Sequence, residues 1–349
     1  MRVATYNVNL SRRGPGLLLR DLRNGDPAAQ SIAQVIAHVA PDVLLLTKFD
    51  YDHGLVALDS FADLLRRHGL DLPHGFALRP NSGMQTGLDM VGDRRLNTPD
   101  DAQGYGSFAG AGGMALLSRL PVDRGAVRDF SAFLWRDLPG ARLPRANGRL
   151  FPSAEVFEIQ RLSTTGHWSV PLILPDGGRL EVLAYYASPP VFGGARDRNL
   201  LRNHDETMFW VHLLDGALPF APPQSPFVLM GDSNLDPQDG DGLHQAMRAL
   251  LDHPALQDPH PRSPGAVEAA SHPASHGHLG DPALDTTHWT REIGPGNLRV
   301  DYVLPSADLR VVDAGVFWPA TDDPLHALLG PPEDPPTRHR LVWADLALP

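Results

Sequence analysis

Phe227-Val228-Leu229-Met230-Gly231-Asp232-Ser233-Asn234 decides how this chain folds. Four apolar residues, a strand's length, run into a Gly-Asp-Ser-Asn turn. A short apolar run of this kind reads as a buried strand in a sheet covered on both faces. The turn then delivers a carboxylate and an amide at the strand's carboxyl end. By itself a Gly-Asp-x-Asn turn is often no more than an Asx turn that closes a strand. Its meaning depends on what other strands bring to the same end.

Residues 2–9 alternate apolar and polar side chains, as a half-buried strand does. Residues 42–47 and 113–118 are two more short apolar runs. Residues 167–174 and 179–186 flank Pro175-Asp176-Gly177-Gly178, a hairpin signal. Residues 298–304, 309–317 and 340–346 read as closing strands. Helical spacing falls at 27–40, where Ile32, Val35, Ile36 and Val39 share a face, and at 54–68, 198–214 and 241–251. Strands joined by hairpins with helices between them predict an α/β class. The expected architecture is a four-layer sandwich, two packed mixed β-sheets flanked by helices. No repeat and no linker divides the chain, so one domain over 1–349 is expected. Two polar stretches rich in Gly and Pro, 79–112 and 253–296, are expected to be loop insertions. Asp89, Asp93, Asp100 and Asp101 crowd the first, without the spacing of a calcium loop.

The absence of cysteine excludes disulfides and thiolate metal sites. The formal charge of −11 and the lack of any Lys/Arg cluster argue against a non-specific grip on a nucleic acid polymer. A small phosphoester is the better fit. No apolar run is long enough to span a bilayer. Residues 1–9 begin as a strand, so a cytoplasmic location without a secretory leader is expected. Oligomeric state is not legible. Of the 30 basic residues, Lys48 is the single lysine. With abundant Ala, Gly and Pro, that pattern fits a GC-rich coding bias and makes Lys48 conspicuous.

Four segments follow one another along the chain: Thr5-Tyr6-Asn7, then Leu46-Thr47-Lys48-Phe49-Asp50, then Gly231-Asp232-Ser233-Asn234, then Arg299-Val300-Asp301-Tyr302 with Arg338-His339. In this order they resemble the endonuclease/exonuclease/phosphatase, or deoxyribonuclease I-like, superfamily. The likeness runs from about residue 2 to 346. Ser188-Pro189-Pro190, Asp197-Arg198-Asn199 and Arg202-Asn203-His204-Asp205-Glu206 resemble a bacterial branch of unassigned substrate. The resemblance implies a phosphodiesterase, phosphatase or nuclease chemistry, the in-line attack of water on a phosphoester. It implies Asp232 as the group that positions or deprotonates the water. Asn234 and His339 would hold phosphoryl oxygens, Asp301 would orient His339, Tyr186 would donate to phosphate, and Asn7 would line the cluster. Arg198, Asn199, Arg202 and Asn203 are substrate candidates or, equally, groups that cap and solvate a helix. His167 beside Trp168 reads as structural.

Two positions depart from that pattern. The resemblance implies a metal-binding glutamate where this chain has Lys48, and a metal-contacting aspartate where it has Arg338. Asn7 and Asp232 remain as metal candidates, for the Mg2+ or other divalent cation that the resemblance implies, with no metal as the alternative. Magnesium takes hard oxygen ligands, usually with one or two carboxylates. One positive charge about 5 Å from a dication, at an effective dielectric near 20, repels it by about 7 kcal/mol before screening. The expectation is a phosphoester hydrolase in which Lys48 and Arg338 clamp phosphate in place of metal. The alternatives are a pseudoenzyme that binds a phosphorylated ligand without turnover, and an interaction scaffold in which Lys48 pairs with Asp50 or Asp232.

Overall fold

The computed structural model describes residues 1–224, 226–289 and 294–348. Residues 290–293, inside the 253–296 stretch, lie outside the described residues. Strands β1 (Arg2–Leu10), β2 (Val43–Phe49), β3 (His74–Phe76) and β4 (Gly113–Ser118) belong to one sheet. Strands β5 (Arg128–Asp129), β8 (Gly166–Ile173), β9 (Arg179–Tyr186) and β10 (Phe227–Asp232) belong to another. Two ribbons stand apart, β6 (Arg145–Ala146) with β7 (Arg149–Leu150), and β11 (Thr287–Trp289) with β12 (Gly296–Leu298). Strand β13 (Asp301–Pro305) returns to the second sheet, and β14 (Arg310–Val316) and β15 (Val342–Ala347) to the first. The six-stranded order is β14-β15-β1-β2-β4-β3 and the five-stranded order is β13-β10-β9-β8-β5.

The helices are α1 (Leu17–Arg23), α2 (Pro27–Val39), α3 (Val56–Arg67), α4 (Ala154–Ile159), α5 (Arg198–Leu214), α6 (Gln245–Leu251) and α7 (Pro264–Ala269). Helix α2 starts where the Asp26 side chain accepts from Ala29 N at 2.8 Å and Pro27 takes the first turn. Its stripe of Ile32, Val35, Ile36 and Val39 is buried on the six-stranded sheet together with Phe61 and Leu65 of α3. On the far side, Phe209, Trp210 and Leu213 of α5 and Met247 and Leu250 of α6 cover Leu183, Tyr185, Leu229 and Tyr302. Between the sheets lie Val3, Val182, Val228, Met230 and Val303. Helix, sheet, sheet and helix make the four layers expected.

Strand period does the positioning. Val228, Met230 and Asp232 alternate toward the inter-sheet core, so the last of the stripe is a carboxylate. Strands β1 and β2 run parallel, as do β9 and β10, so their carboxyl ends share one edge of the sandwich. Gly231 has φ 151°, and a Cβ there would lie 1.9 Å from the Tyr185 carbonyl oxygen. Only glycine lets β10 pass so close to β9 just before Asp232.

Several sequence boundaries shift. Residues 298–304 do not form one strand: Leu298 ends the β11–β12 ribbon and Asp301 opens β13. The expected helix at 241–251 begins only at Gln245, and α1, β3, α4 and the ribbons had no clear periodic signal. The stretch 79–112 carries one short 3₁₀ turn, Pro99–Asp101, and buries Asn81, Ser82, Met90 and Asp101. Its aspartates serve the backbone. Asp89 accepts from Gly92 N and Arg94 N, and Asp101 from Met90 N and Thr98 N. No helix among the described residues is long and apolar enough to cross a membrane.

Candidate active site

Three neighbouring strands bring Tyr186, Asp232 and Asp301 into one row, since Asp232 pairs with Tyr186 on β9 and with Asp301 on β13. From the facing sheet, β1 adds Asn7, whose Nδ2 donates to Asp232 Oδ2 at 2.8 Å. Asn234 N donates to Asp232 Oδ1 at 2.9 Å. Asp232 and Asp301 are both 0% exposed. Burial, then the neighbouring Asp301 charge, push the Asp232 carboxyl up to about 7, against His339, Asn7 and Asn234 N, which lower it.

His339 Nδ1 lies 2.9 Å from Asp301 Oδ2 and 3.9 Å from Asp232 Oδ2. Burial takes His339 down to about 4 and holds Asp301 well above the usual carboxylate range. The pair therefore shares a proton rather than forming an ion pair. Thr286, on the segment leading into β11, donates its hydroxyl to Asp301 Oδ2 at 3.0 Å, and Trp289 packs edge-on against the His339 ring. Thr337 ties the chain before His339 to the Asn7 carbonyl at 2.8 Å. Burial, then the Asp232 charge, keep the Tyr186 hydroxyl far above its ordinary pKa, with the Asn7 side chain hydrogen-bonded to it. Tyr186 is thus a neutral donor at any working pH.

Lys48 sits at a bulge where β2 shifts register against both neighbours, with φ 58°. A non-glycine residue in the left-handed region costs about 1–3 kcal/mol, and such residues concentrate at functional sites. Burial lowers the Lys48 pKa, and the Asp232 charge acts in the opposite sense. Lys48 makes no ion pair among the described residues. Asp50 is already taken by Ser11 Oγ, Arg12 N and Gly112 N at 2.7–2.8 Å. Instead Lys48 and Tyr186 line an open cavity of about 560 Å³. The scaffold reading, which needs a paired lysine and no opening, has neither.

The remaining candidates divide. Arg198, Asn199 and Arg202 line the same cavity. Asn199 Nδ2 donates to the Val191 carbonyl, and Asn234 Nδ2 to that of Ala187, both at 2.9 Å. Arg338 is not brought to the cluster. Arg338 lies at a bend between Thr337 and His339, with Nη1 3.4 Å from the His288 carbonyl. Asp232, Asp301 and His339 are buried and Asn234 is half-buried; none of the four is among the residues lining the cavity, whereas Lys48 and Tyr186 are.

Arg202 and Asn203 spend their side-chain donors on backbone carbonyls. Arg202, 2% exposed, donates to the carbonyls of Gln103, Arg161, Leu162 and Ser163 at 2.6–3.1 Å. Asn203 joins the Ser188 and Ser233 carbonyls at 2.7 Å. His167 is structural, stacked on Trp210 with Nε2 3.0 Å from the Glu206 carbonyl. Replacing Arg202 by methionine strands four carbonyls and is expected to cost about 3 kcal/mol in urea unfolding. A loss below about 0.5 kcal/mol, as at ordinary surface positions, contradicts this role. Sequence reading missed Thr286 and Trp289, which reach the site through β11 and the segment before it, and Thr337, which adjoins the Arg338-His339 motif and bonds to the Asn7 carbonyl.

The group the family resemblance implies here is a divalent metal. Asp232, Asp301 and His339 each offer one ligand atom within 4.8 Å of the others, so spacing alone could hold an ion. The donor set does not fit magnesium. Both Asp232 oxygens and His339 Nδ1 already have hydrogen-bond partners, leaving Asp301 Oδ1 as the unpartnered carboxylate atom. A lysine ammonium also faces them.

The sequence model described as the Endonuclease/Exonuclease/phosphatase family matches residues 4–339. No curated protein matches the chain. Among solved structures, an endonuclease/exonuclease/phosphatase from Beutenbergia cavernae is similar at 20% identity and TM-score 0.56, covering 100% of this chain and 71% of that one. Sphingomyelinase C from Streptomyces griseocarneus is similar at 17% and 0.52, covering 100% and 99%. A mannosyl-6-phosphatase from Bacteroides thetaiotaomicron is similar at 13% and 0.50, covering 100% of both. At these identities the likeness concerns the fold, whereas the family match spans nearly the whole chain. This chain belongs to the endonuclease/exonuclease/phosphatase family.

Proposed function

We propose that the chain hydrolyses a small phosphoester by in-line attack of water, with Lys48 supplying positive charge where relatives are expected to use metal. The observation that carries this is the buried Asn7–Asp232 and Asp301–His339 pairs close to Lys48 and Tyr186, two residues that line the cavity. Two structural neighbours are named for phosphoester cleavage, one a phosphatase and one a sphingomyelinase. Asp232, poised near 7, takes a proton from water as the new P–O bond forms. Lys48 and the Tyr186 hydroxyl donate to the phosphoryl oxygens. His339 Nε2–H protonates the leaving oxygen as the P–O bond breaks, and the Asp301 proton passes to Nδ1. Asn7 positions Asp232.

A panel of phosphomonoesters and phosphodiesters tests this reading. Turnover of at least one class is expected. Because the base must be ionised, kcat/KM should rise about tenfold per pH unit below about 7 and level above it. A flat profile from pH 5 to 8 on a cleaved substrate would remove Asp232 from the role of base. A pseudoenzyme would bind phosphate at Lys48 and cleave nothing.

A further inference from the structure

A second concavity, of about 880 Å³, lies behind the segment that carries His339. Arg340, two positions from Arg338, points into it, and its guanidinium lies 4.5 Å over the Trp318 ring. Arg340 is 5% exposed. Its Nη1 donates to the His339 carbonyl at 3.0 Å, while its Nε has no partner. No carboxylate among the described residues forms an ion pair with Arg340 or Arg338. That is unexpected in a chain with 41 acidic residues against 30 basic ones, because a buried charge is normally neutralised.

The walls add imidazoles. His272, His288 and His326 each use Nδ1 within the protein, on Ala274 N, Asn297 Oδ1 and the Pro319 carbonyl at 3.2, 2.8 and 3.0 Å. His288 and His326 place Nδ1 against oxygen acceptors, so their ring protons sit on Nδ1. His272 Nδ1 accepts an N–H, so its Nε2 carries the proton. The carboxylate on this wall, Glu268, is held by Thr321 N at 2.9 Å.

We propose that this pocket is a second anion site, binding a phosphate group through Arg340 and the His272 Nε2–H. The inference does not depend on the hydrolase reading. Calorimetric titration with inorganic phosphate tests it, with melting curves to show that each variant is folded. The wild-type chain should bind one phosphate here in addition to any at Lys48. Arg340→Met should abolish this phase and leave the Lys48 phase. Val267→Glu, at a wall position 52% exposed, should weaken the same phase on the order of tenfold by like-charge repulsion. If Arg340→Met does not fold, Val267→Glu decides alone. One phase that Val267→Glu leaves unchanged and Lys48→Met abolishes would overturn the proposal.

Discussion

Asp232→Asn is expected to lower kcat by about 10²–10⁴-fold, the usual contribution of a positioned general base, while the protein stays as stable as the wild type or gains stability. The substitution is nearly isosteric. Its oxygen can still accept from Asn7 Nδ2 or from Asn234 N, though not from both. Against that lost bond stands the relief of a buried carboxyl raised to about 7 by burial and by the Asp301 charge. A structural aspartate would behave in the opposite way, with stability falling first and activity following it. Measuring kcat alongside the unfolding free energy separates the two. Wild-type turnover in Asp232→Asn would end its role as base.

Lys48→Met should lower kcat/KM about 10²-fold, the scale for removing one donor to a developing phosphoryl charge. It should also relax the strain of a left-handed side chain very little, because φ 58° is set by the bulge against β1 and β4 and not by the ammonium. Lys48→Glu is the more informative change. It places a third carboxylate beside Asp232 and Asp301, raising the repulsion that metal would relieve. Activity should vanish in chelator and return in part with Mg2+. Arg338→Asp should add little to it, since Arg338 faces His288 instead of the cluster. If Arg338→Asp alone changes turnover as strongly as Lys48→Glu, the assignment of charge to Lys48 is wrong.

The four motif segments were legible because strand ends are set by local chemistry. The apolar run 227–230 and its Gly-Asp turn already implied a carboxylate at a sheet edge, and the hairpin at 175–178 forms with Gly178 O accepting from Leu174 N. The helix at 198–214 falls where its spacing placed it. What stayed hidden depends on partners distant in sequence. Whether Arg338 faces the cluster is decided by the pairing of Thr287 with His339, which no local pattern encodes. Arg202 and Asn203 could be read equally as substrate groups or as helix-solvating groups, because their bonding to the loops at 103, 161–163, 188 and 233 depends on partners distant in sequence. The lysine was conspicuous in composition, but its left-handed backbone was not. Thr286 supports Asp301 from an insertion with no periodicity to read.

The claim that everything else leans on is that the Lys48 charge, not a bound dication, faces the phosphoryl group. The most direct measurement is the steady-state rate of the wild-type protein on its best phosphoester, after exhaustive dialysis against EDTA and again after Mg2+ is restored. Equal rates are expected in both conditions. Loss of activity in EDTA with full recovery on adding Mg2+ would contradict it.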